Sequence, residues 1–196
     1  MVIDTNVTVK ILAFSGSSRE GSLNKKLVAI AADGARNTGA EIITVDLANY
    51  RMPIYDGDLE EEKGLPQEAE RLKSVIAKSD GFLVASPEYN GGYSPLLKNT
   101  IDWISRPSPG EPRLVSFAGK TAALMSVSPG FLGGIRGLAQ VRQILTNIQV
   151  IVLPDQVALP NAHAAFNDNG SLSDEAQNDR IIALGANLAR FTQRLR

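Results

Sequence analysis

The sequence contains no cysteine and a single histidine among its 196 residues, and these two absences exclude whole classes of chemistry. Without cysteine there are no disulfides, thiol nucleophiles, cysteine-held iron–sulfur clusters or cysteine zinc sites. One histidine, His163, rules out a multi-histidine metal centre, and a Ser–His–Asp hydrolase would depend on it entirely. It lies in the polar stretch "LPNAHAAFNDNG", which favours a solvated side chain. We therefore expect no metal site and no thiol nucleophile.

Long apolar runs and an excess of charge of either sign are missing as well. No stretch approaches the roughly 20 apolar residues of a membrane span, and the opening "MVIDTNVTVK" lacks the basic start and apolar centre of a signal peptide. The formal net charge is −1, so any anion site must be built locally. These features predict a cytoplasmic protein with a small-molecule ligand, no nucleic-acid partner and no membrane insertion.

The sequence does contain short apolar runs that alternate with helical patterns. Runs at 7–14, 42–47, 81–86, 120–127 and 150–153 are bounded by Gly, Pro, Asp or Ser, as buried parallel strands are. Five stretches predict helices, with Ser22 and Ser173 as the expected N-caps of the first and the last. These stretches are 22–39, 66–80, 94–105, 133–149 and 173–195.

This alternation predicts an α/β fold with a parallel sheet and helices on both faces. We expect one domain over 1–196, a flavodoxin-like doubly wound five-stranded sheet in the order 2-1-3-4-5. Ligands of such sheets bind beyond the carboxyl ends of strands 1 and 3. The long connections 48–65 and 154–172 are candidate walls or partner contacts, and the acidic "DLEEEKG" (58–64) is interpreted as loop surface.

The stretch "GSSREGSLN" (16–24) follows the first strand and has the groups that bind a phosphate monoester. Gly16 permits tight backbone geometry, Ser17 and Ser22 offer hydroxyls, and the helix that begins near Ser22 offers free N–H groups. Arg19 adds a positive charge with several donors, and Asn24 lies in the first helical turn. The alternative is a hydroxyl-rich turn in which Ser22 only caps the helix.

Two better-known phosphate loops do not fit this stretch. The P-loop pattern GxxxxGK[ST] fails because Ser22 and Leu23 stand where Lys and Ser/Thr are required. The dinucleotide pattern GxGxxG fails because Ser18 occupies the position of its second glycine. Asp46, which resembles the ribose-binding acid of that pattern, is interpreted as a residue that ends strand 2.

Two further loops follow the third and fourth strands. In "SPEYNGGYSPLLKNTIDWIS" (86–105), Pro87 fixes the chain direction, and Asn90, Gly91 and Gly92 allow a backbone path that presents polar groups to a flat ring edge such as that of a flavin. In "SVSPGFLGGIRGLAQVRQIL" (126–145), Ser128 can close the ring side of the pocket. There the residues Gly133, Gly134 and Arg136 open a helix that either docks a second anion or belongs to an ordinary loop.

Together the three loops resemble the NADPH-dependent FMN reductase family, and within it the bacterial chromate- and quinone-reducing flavoproteins. "GSSREGSLN" is similar to the family's GSxRxxSxN phosphate loop, and "SPEYNGGYSPLLKNTIDW" is similar to its PEYN signature. The resemblance implies FMN as cofactor, with its phosphate bound by Ser17, Arg19, Ser22, Leu23 and Asn24. It implies that the isoalloxazine ring is framed, mainly through backbone, by Pro87, Glu88, Tyr89, Asn90, Gly91 and Ser128.

The function that this resemblance implies is an FMN-dependent oxidoreductase. NAD(P)H would reduce the flavin, and a quinone, free flavin or similar small acceptor would oxidise it, without a catalytic side chain. The resemblance also implies a homodimer or homotetramer. Two alternatives stay open, a flavodoxin-type electron carrier and a non-catalytic flavin-binding module.

Overall fold

The computed structural model describes residues 8–196, so the expectations about the opening of the chain and the first residue of strand 1 lie outside the described residues. Residues 8–196 contain seven strands: β1 (Lys10–Ser15), β2 (Glu41–Asp46), β3 (Gly81–Ala85), β4 (Glu88–Tyr89), β5 (Gly92–Tyr93), β6 (Thr121–Val127) and β7 (Ile151–Leu159). The helices are α1 (Leu23–Arg36), α2 (Gly57–Lys63), α3 (Gln67–Ile76), α4 (Pro95–Ile104), α5 (Ile135–Asn147) and α6 (Glu175–Arg194). Two short 3-10 helices, Leu47–Asn49 and Ala162–Ala164, complete the fold.

Five of the strands form one parallel sheet in the order β2-β1-β3-β6-β7. Strands β3 and β6 lie inside it and are buried at every residue, which is why their sequences "GFLVA" and "TAALMSV" are continuously apolar or small. The edge strand β2 is partly exposed and contains polar residues. With the short β4–β5 hairpin set aside, this is the predicted order 2-1-3-4-5, and the flavodoxin-like fold is confirmed.

Apolar side chains alternate between the two faces of the sheet and create a core on each side. Ile11 and Ala13 of β1 pack in the cluster with α1 and α6, whereas Leu12 packs in the cluster with α3, α4 and α5. Helices α1, α3, α4, α5 and α6 direct their apolar side chains at the sheet. None of the helices within residues 8–196 is long and apolar enough to cross a bilayer.

The contact between α1 and α6 is unusually close because each helix has a glycine at the crossing point. A Cβ on Gly185 would lie 2.7 Å from the carbonyl carbon of Ala31, and a Cβ on Gly34 would lie 2.8 Å from the carbonyl carbon of Ile182. Both distances are below van der Waals contact, so backbone packs directly on backbone here. Helix α6 therefore fixes the position of α1, whose N-terminus follows the "GSSREGSLN" loop.

The sequence predictions were wrong about two connections. Residues 48–65 contain helix α2, which Asp56 caps, so "DLEEEKG" is largely helical rather than loop. None of the residues of α2 is buried, so this helix needs no apolar face. Its sequence therefore lacks the apolar periodicity from which a helix is predicted. Strand β7 continues to Leu159 instead of ending at 153, with a register shift beside Pro154 that its position at the sheet edge tolerates.

The N-cap of the last helix also differs by one residue from the prediction. Asp174 rather than Ser173 caps α6, and its carboxylate accepts a hydrogen bond from the Gln177 N–H at 3.1 Å. The Ser173 hydroxyl instead donates to the Ala164 carbonyl at 2.7 Å. Both residue types are good caps, so the local sequence did not distinguish them.

Candidate functional site

A cleft of about 570 Å³ opens at the carboxyl ends of the strands. Its volume lies in the range typical of small-molecule and cofactor sites. Four loops line it, following β1, β3, β6 and β7. The lining residues are Ser17, Arg19, Gly21, Ser22, Leu23, Asn24, Lys26, Pro87, Glu88, Tyr89, Val127, Ser128, Pro129, Ala162, His163, Phe166, Asn167 and Asp168.

The first wall is the loop after β1 together with the start of α1. Ser17 and Ser22 are buried, and the Ser17 hydroxyl accepts from the Arg19 N–H at 3.3 Å, which leaves its own proton free to donate. Ser22 is the N-cap of α1 by its backbone, as predicted, but its hydroxyl makes no capping hydrogen bond. The N–H groups of Leu23 and Asn24 have no acceptor within the helix. This wall therefore presents several unused donors.

Positive charge is concentrated at the same wall. Arg19 and Lys26 line the cleft with exposed heads, and neither forms an ion pair with any residue in 8–196. Lys25, next to them in sequence, is instead held by Asp46, whose carboxylate lies 2.7 Å from its ammonium nitrogen. Asp46 does not line the cleft, in agreement with its interpretation as a strand-ending residue. An anion at this wall would meet two cations and a helix N-terminus.

Asn24 and Gly16, both predicted site residues, have structural partners that the sequence did not reveal. The Asn24 side-chain amide donates to the Val127 carbonyl at 3.0 Å and accepts from the Val127 N–H at 3.1 Å. It joins the start of α1 to the end of β6, so a ligand can use mainly its backbone N–H. Gly16 is outside the lining, and a Cβ there would lie 2.9 Å from the Ser94 hydroxyl.

The second wall is the segment after β3, where Pro87, Glu88 and Tyr89 line the cleft. Glu88 and Tyr89 form strand β4, and Asn90 and Gly91 form the turn of the β4–β5 hairpin with positive φ angles of 52° and 82°. An Asn-Gly turn between two strands is a strong hairpin signal, which the sequence interpretation missed. Asn90 and Gly91 do not line the cleft, so the structure separates them from the other predicted residues of this segment.

The Glu88 side chain contacts the start of helix α5. Its carboxylate accepts hydrogen bonds from Arg136 Nη2 at 2.7 Å, from Arg136 Nε at 3.1 Å and from the Gly137 N–H at 2.9 Å. Burial raises the pKa of this carboxyl group, but the hydrogen bonds from Gly137 and Arg136 lower it more, and the net pKa lies below the ordinary value. The sequence left open whether the start of α5 docks a second anionic ligand. In the structure, the anion bound there is the Glu88 carboxylate of the protein itself.

The third wall follows β6, and a fourth wall follows β7. Ser128 and Pro129 line the cleft, and the Ser128 carbonyl accepts from the Ala162 N–H at 3.2 Å, which joins the two walls. The fourth wall contains His163, Phe166, Asn167 and Asp168, none of which was predicted as a site residue. His163 is exposed, as expected, but it lines the cleft. The only sequence signal was the length of this connection.

Comparison with known proteins relates the whole arrangement to one family. The model of the NADPH-dependent FMN reductase family matches residues 9–164. An NAD(P)H-dependent FMN reductase of Pseudomonas aeruginosa is 35% identical over 189 residues, which cover 96% of this chain and 97% of that protein. An NAD(P)H:quinone oxidoreductase of Solanum tuberosum is 35% identical over 181 residues, covering 90% of this chain and 89% of the relative.

Solved structures agree with these sequence relatives. A flavoenzyme NAD(P)H:(acceptor) oxidoreductase from Paracoccus denitrificans superposes with a TM-score of 0.79 at 28% identity, covering 95% of this chain and 98% of that one. A flavodoxin from the domain Archaea superposes with a TM-score of 0.61 at 9% identity, covering 94% of this chain and 99% of that one. The second likeness concerns the fold alone.

Proposed function

The chain belongs to the NADPH-dependent FMN reductase family, and from this premise we propose that it is an FMN-dependent NAD(P)H oxidoreductase that reduces quinones, free flavin or similar small acceptors. The observation that carries the proposal is the first wall of the cleft. Arg19, which pairs with no acid in residues 8–196, converges on one end of it with the hydroxyls of Ser17 and Ser22 and the N-terminus of α1. This donor set suits the doubly charged phosphate of FMN.

The residues at the other end of the cleft fit the flat ring of the same cofactor. Pro87 and Tyr89 supply one side of this end, and Ser128 and Pro129 line it from the next loop. Bound FMN would supply the redox chemistry, since a flavin accepts a hydride from NAD(P)H and returns two electrons to an acceptor. We propose that the chain orients the ring and leaves one face open, with backbone groups of residues 87–89 as its polar partners.

The proposal is tested first by kinetics. Because a single cleft would serve NAD(P)H and the quinone in turn, we expect parallel lines in double-reciprocal plots of initial rate at several quinone concentrations. The measurement is steady-state oxidation of NAD(P)H followed by absorbance, with the flavin spectrum recorded before and after anaerobic NADPH. Lines that intersect clearly would mean that both substrates bind together, which contradicts one shared site.

Two exposed apolar side chains support a homo-oligomer. Ile54 is 86% exposed and Phe131 is 83% exposed, and covering this apolar surface with a second copy of the chain would be favourable. We propose a homodimer or homotetramer, with a small-molecule acceptor as the other partner. Light scattering at micromolar concentration should give a multiple of 21.0 kDa. A species of 21.0 kDa alone would contradict this prediction.

An electron carrier of the flavodoxin type is the main alternative, with a non-catalytic flavin-binding module as a third. A flavodoxin passes single electrons to proteins and normally has a strongly acidic docking face, which a net charge of −1 does not favour. Turnover of NAD(P)H with a quinone at a steady rate would separate the reductase from both alternatives. Absence of turnover with bound FMN would favour the carrier or the module.

We further propose that the chain is one FMN-binding domain and that it works in the cytoplasm. Both apolar clusters pack on the same sheet, which supports cooperative unfolding of residues 8–196 as a unit. The cysteine-free composition supports a reducing compartment. Coincident unfolding curves from fluorescence and circular dichroism test the first proposal, and cell fractionation tests the second.

A further inference from the structure

Glu88 is a buried acid whose carboxylate the proposed chemistry does not use. Its side chain is 7% exposed, and three hydrogen bonds from Arg136 and Gly137 satisfy its two oxygens. The partners lie 48 and 49 residues away in sequence, on the first turn of α5. Glu88 lines the cleft together with its neighbours Pro87 and Tyr89. This acid therefore connects the ring end of the cleft to a helix outside it.

Helix α5 has no capping side chain of its own. Its N-cap is Gly134, with a φ of 93°, and no side chain there satisfies the first N–H groups. The Glu88 carboxylate accepts from the Gly137 N–H and so provides the cap from another part of the chain. A carboxylate at a helix N-terminus also interacts favourably with the helix dipole.

Other contacts seat the whole hairpin on the same helix. The Gln140 side-chain amide donates to the Gly91 carbonyl at 3.0 Å. A Cβ on Gly137 would lie 3.2 Å from the Gly92 carbonyl oxygen, so a larger residue there would press the hairpin away. A hairpin with strands of two residues each is not stable alone. Its position depends on α5.

We propose that Glu88 is a positioning residue, whose contact with the N-terminus of α5 holds the β4–β5 hairpin so that Pro87 and Tyr89 stay at the ring end of the cleft. This inference rests on the proposed function in so far as it names the flavin ring as the group to be positioned. Its carboxylate oxygens already accept hydrogen bonds from Arg136 and Gly137, so the role assigned to it is to hold the hairpin rather than to bind the cofactor. Arg136 acts from the helix side, although it does not line the cleft.

Hydrogen exchange of the apoprotein tests the contact itself. In Glu88→Gln and in Arg136→Met, amide protons of residues 88–93 should exchange at least about 10-fold faster than in the wild type, because the hairpin opens more often. Arg136→Lys retains the charge but not the paired hydrogen bonds, so its exchange rates should lie between those of the wild type and those of Arg136→Met. Arg190→Met, an exposed change on α6, is the matched control and should leave these residues unchanged.

Riboflavin binding tests the positioning role, because riboflavin has the ring but no phosphate. Both variants should weaken riboflavin and FMN by the same factor of about 5 to 20, and the double variant should be little worse than either single one. Unchanged exchange in both variants would overturn the contact, and faster exchange with unchanged riboflavin affinity would overturn the positioning role. If the wild type bound no flavin, the proposed function would fail, while the exchange rates would still test the contact.

Discussion

Replacement of Arg19 by alanine is expected to weaken FMN binding roughly 10- to 100-fold. Arg19 lines the cleft with an exposed guanidinium that pairs with no acid in residues 8–196, so its charge is available to a ligand. A hydrogen bond to a charged group contributes about 1.5–3 kcal/mol net, which corresponds to this range of affinity. Titration of the apoprotein with FMN, followed by quenching of flavin fluorescence, measures the change.

Riboflavin provides the control that identifies the phosphate as the partner of Arg19. It should bind the wild type and Arg19→Ala almost equally, because the lost guanidinium has no phosphate to contact. Arg190→Ala removes the same charge from an exposed position on α6 and should leave both affinities unchanged. Equal loss of FMN and riboflavin affinity, or no loss at all, would show that "GSSREGSLN" does not bind the phosphate. The Arg19 test and the Glu88 test thus distinguish the two ends of the cleft.

Gly185→Ala is expected to lower the free energy of unfolding by about 2–3 kcal/mol, although alanine is the better helix former. The new methyl group would overlap the backbone of Ala31, and a backbone carbonyl cannot rotate away as a side chain can. Helices α1 and α6 must therefore separate, and the apolar contacts between them weaken. For a chain of this size, the midpoint of thermal unfolding should fall by roughly 5–10 °C, measured by circular dichroism.

Gly57→Ala is the matched control for the packing argument. Gly57 begins helix α2 and has no atom within 4 Å of an added Cβ, so the same substitution should leave the midpoint unchanged or raise it slightly. Gly34→Ala, on the opposite side of the same contact, should behave like Gly185→Ala. Equal midpoints for Gly185→Ala and the wild type would mean that the helices can shift without loss.

The sequence by itself determined the order of the sheet and the location of the first wall. Continuous apolar runs such as "GFLVA" and "TAALMSV" mark buried parallel strands, and the fold rules for such strands leave few possible orders. Because strand ends meet at one edge of the sheet, the loops after β1, β3 and β6 were expected to converge. These are local patterns combined with general rules, so they can be read without coordinates.

Only the tertiary structure decided which side chains remain available to a ligand. Asn24 and Glu88 stand in matching motifs, yet the Asn24 amide is taken up by Val127, 103 residues away, and the Glu88 carboxylate by the start of α5. His163 joins the cleft because its loop folds back beside Ser128. Hydrogen-bond partners of this kind depend on distance and burial in three dimensions, so they cannot be predicted from the spacing of residues along the chain.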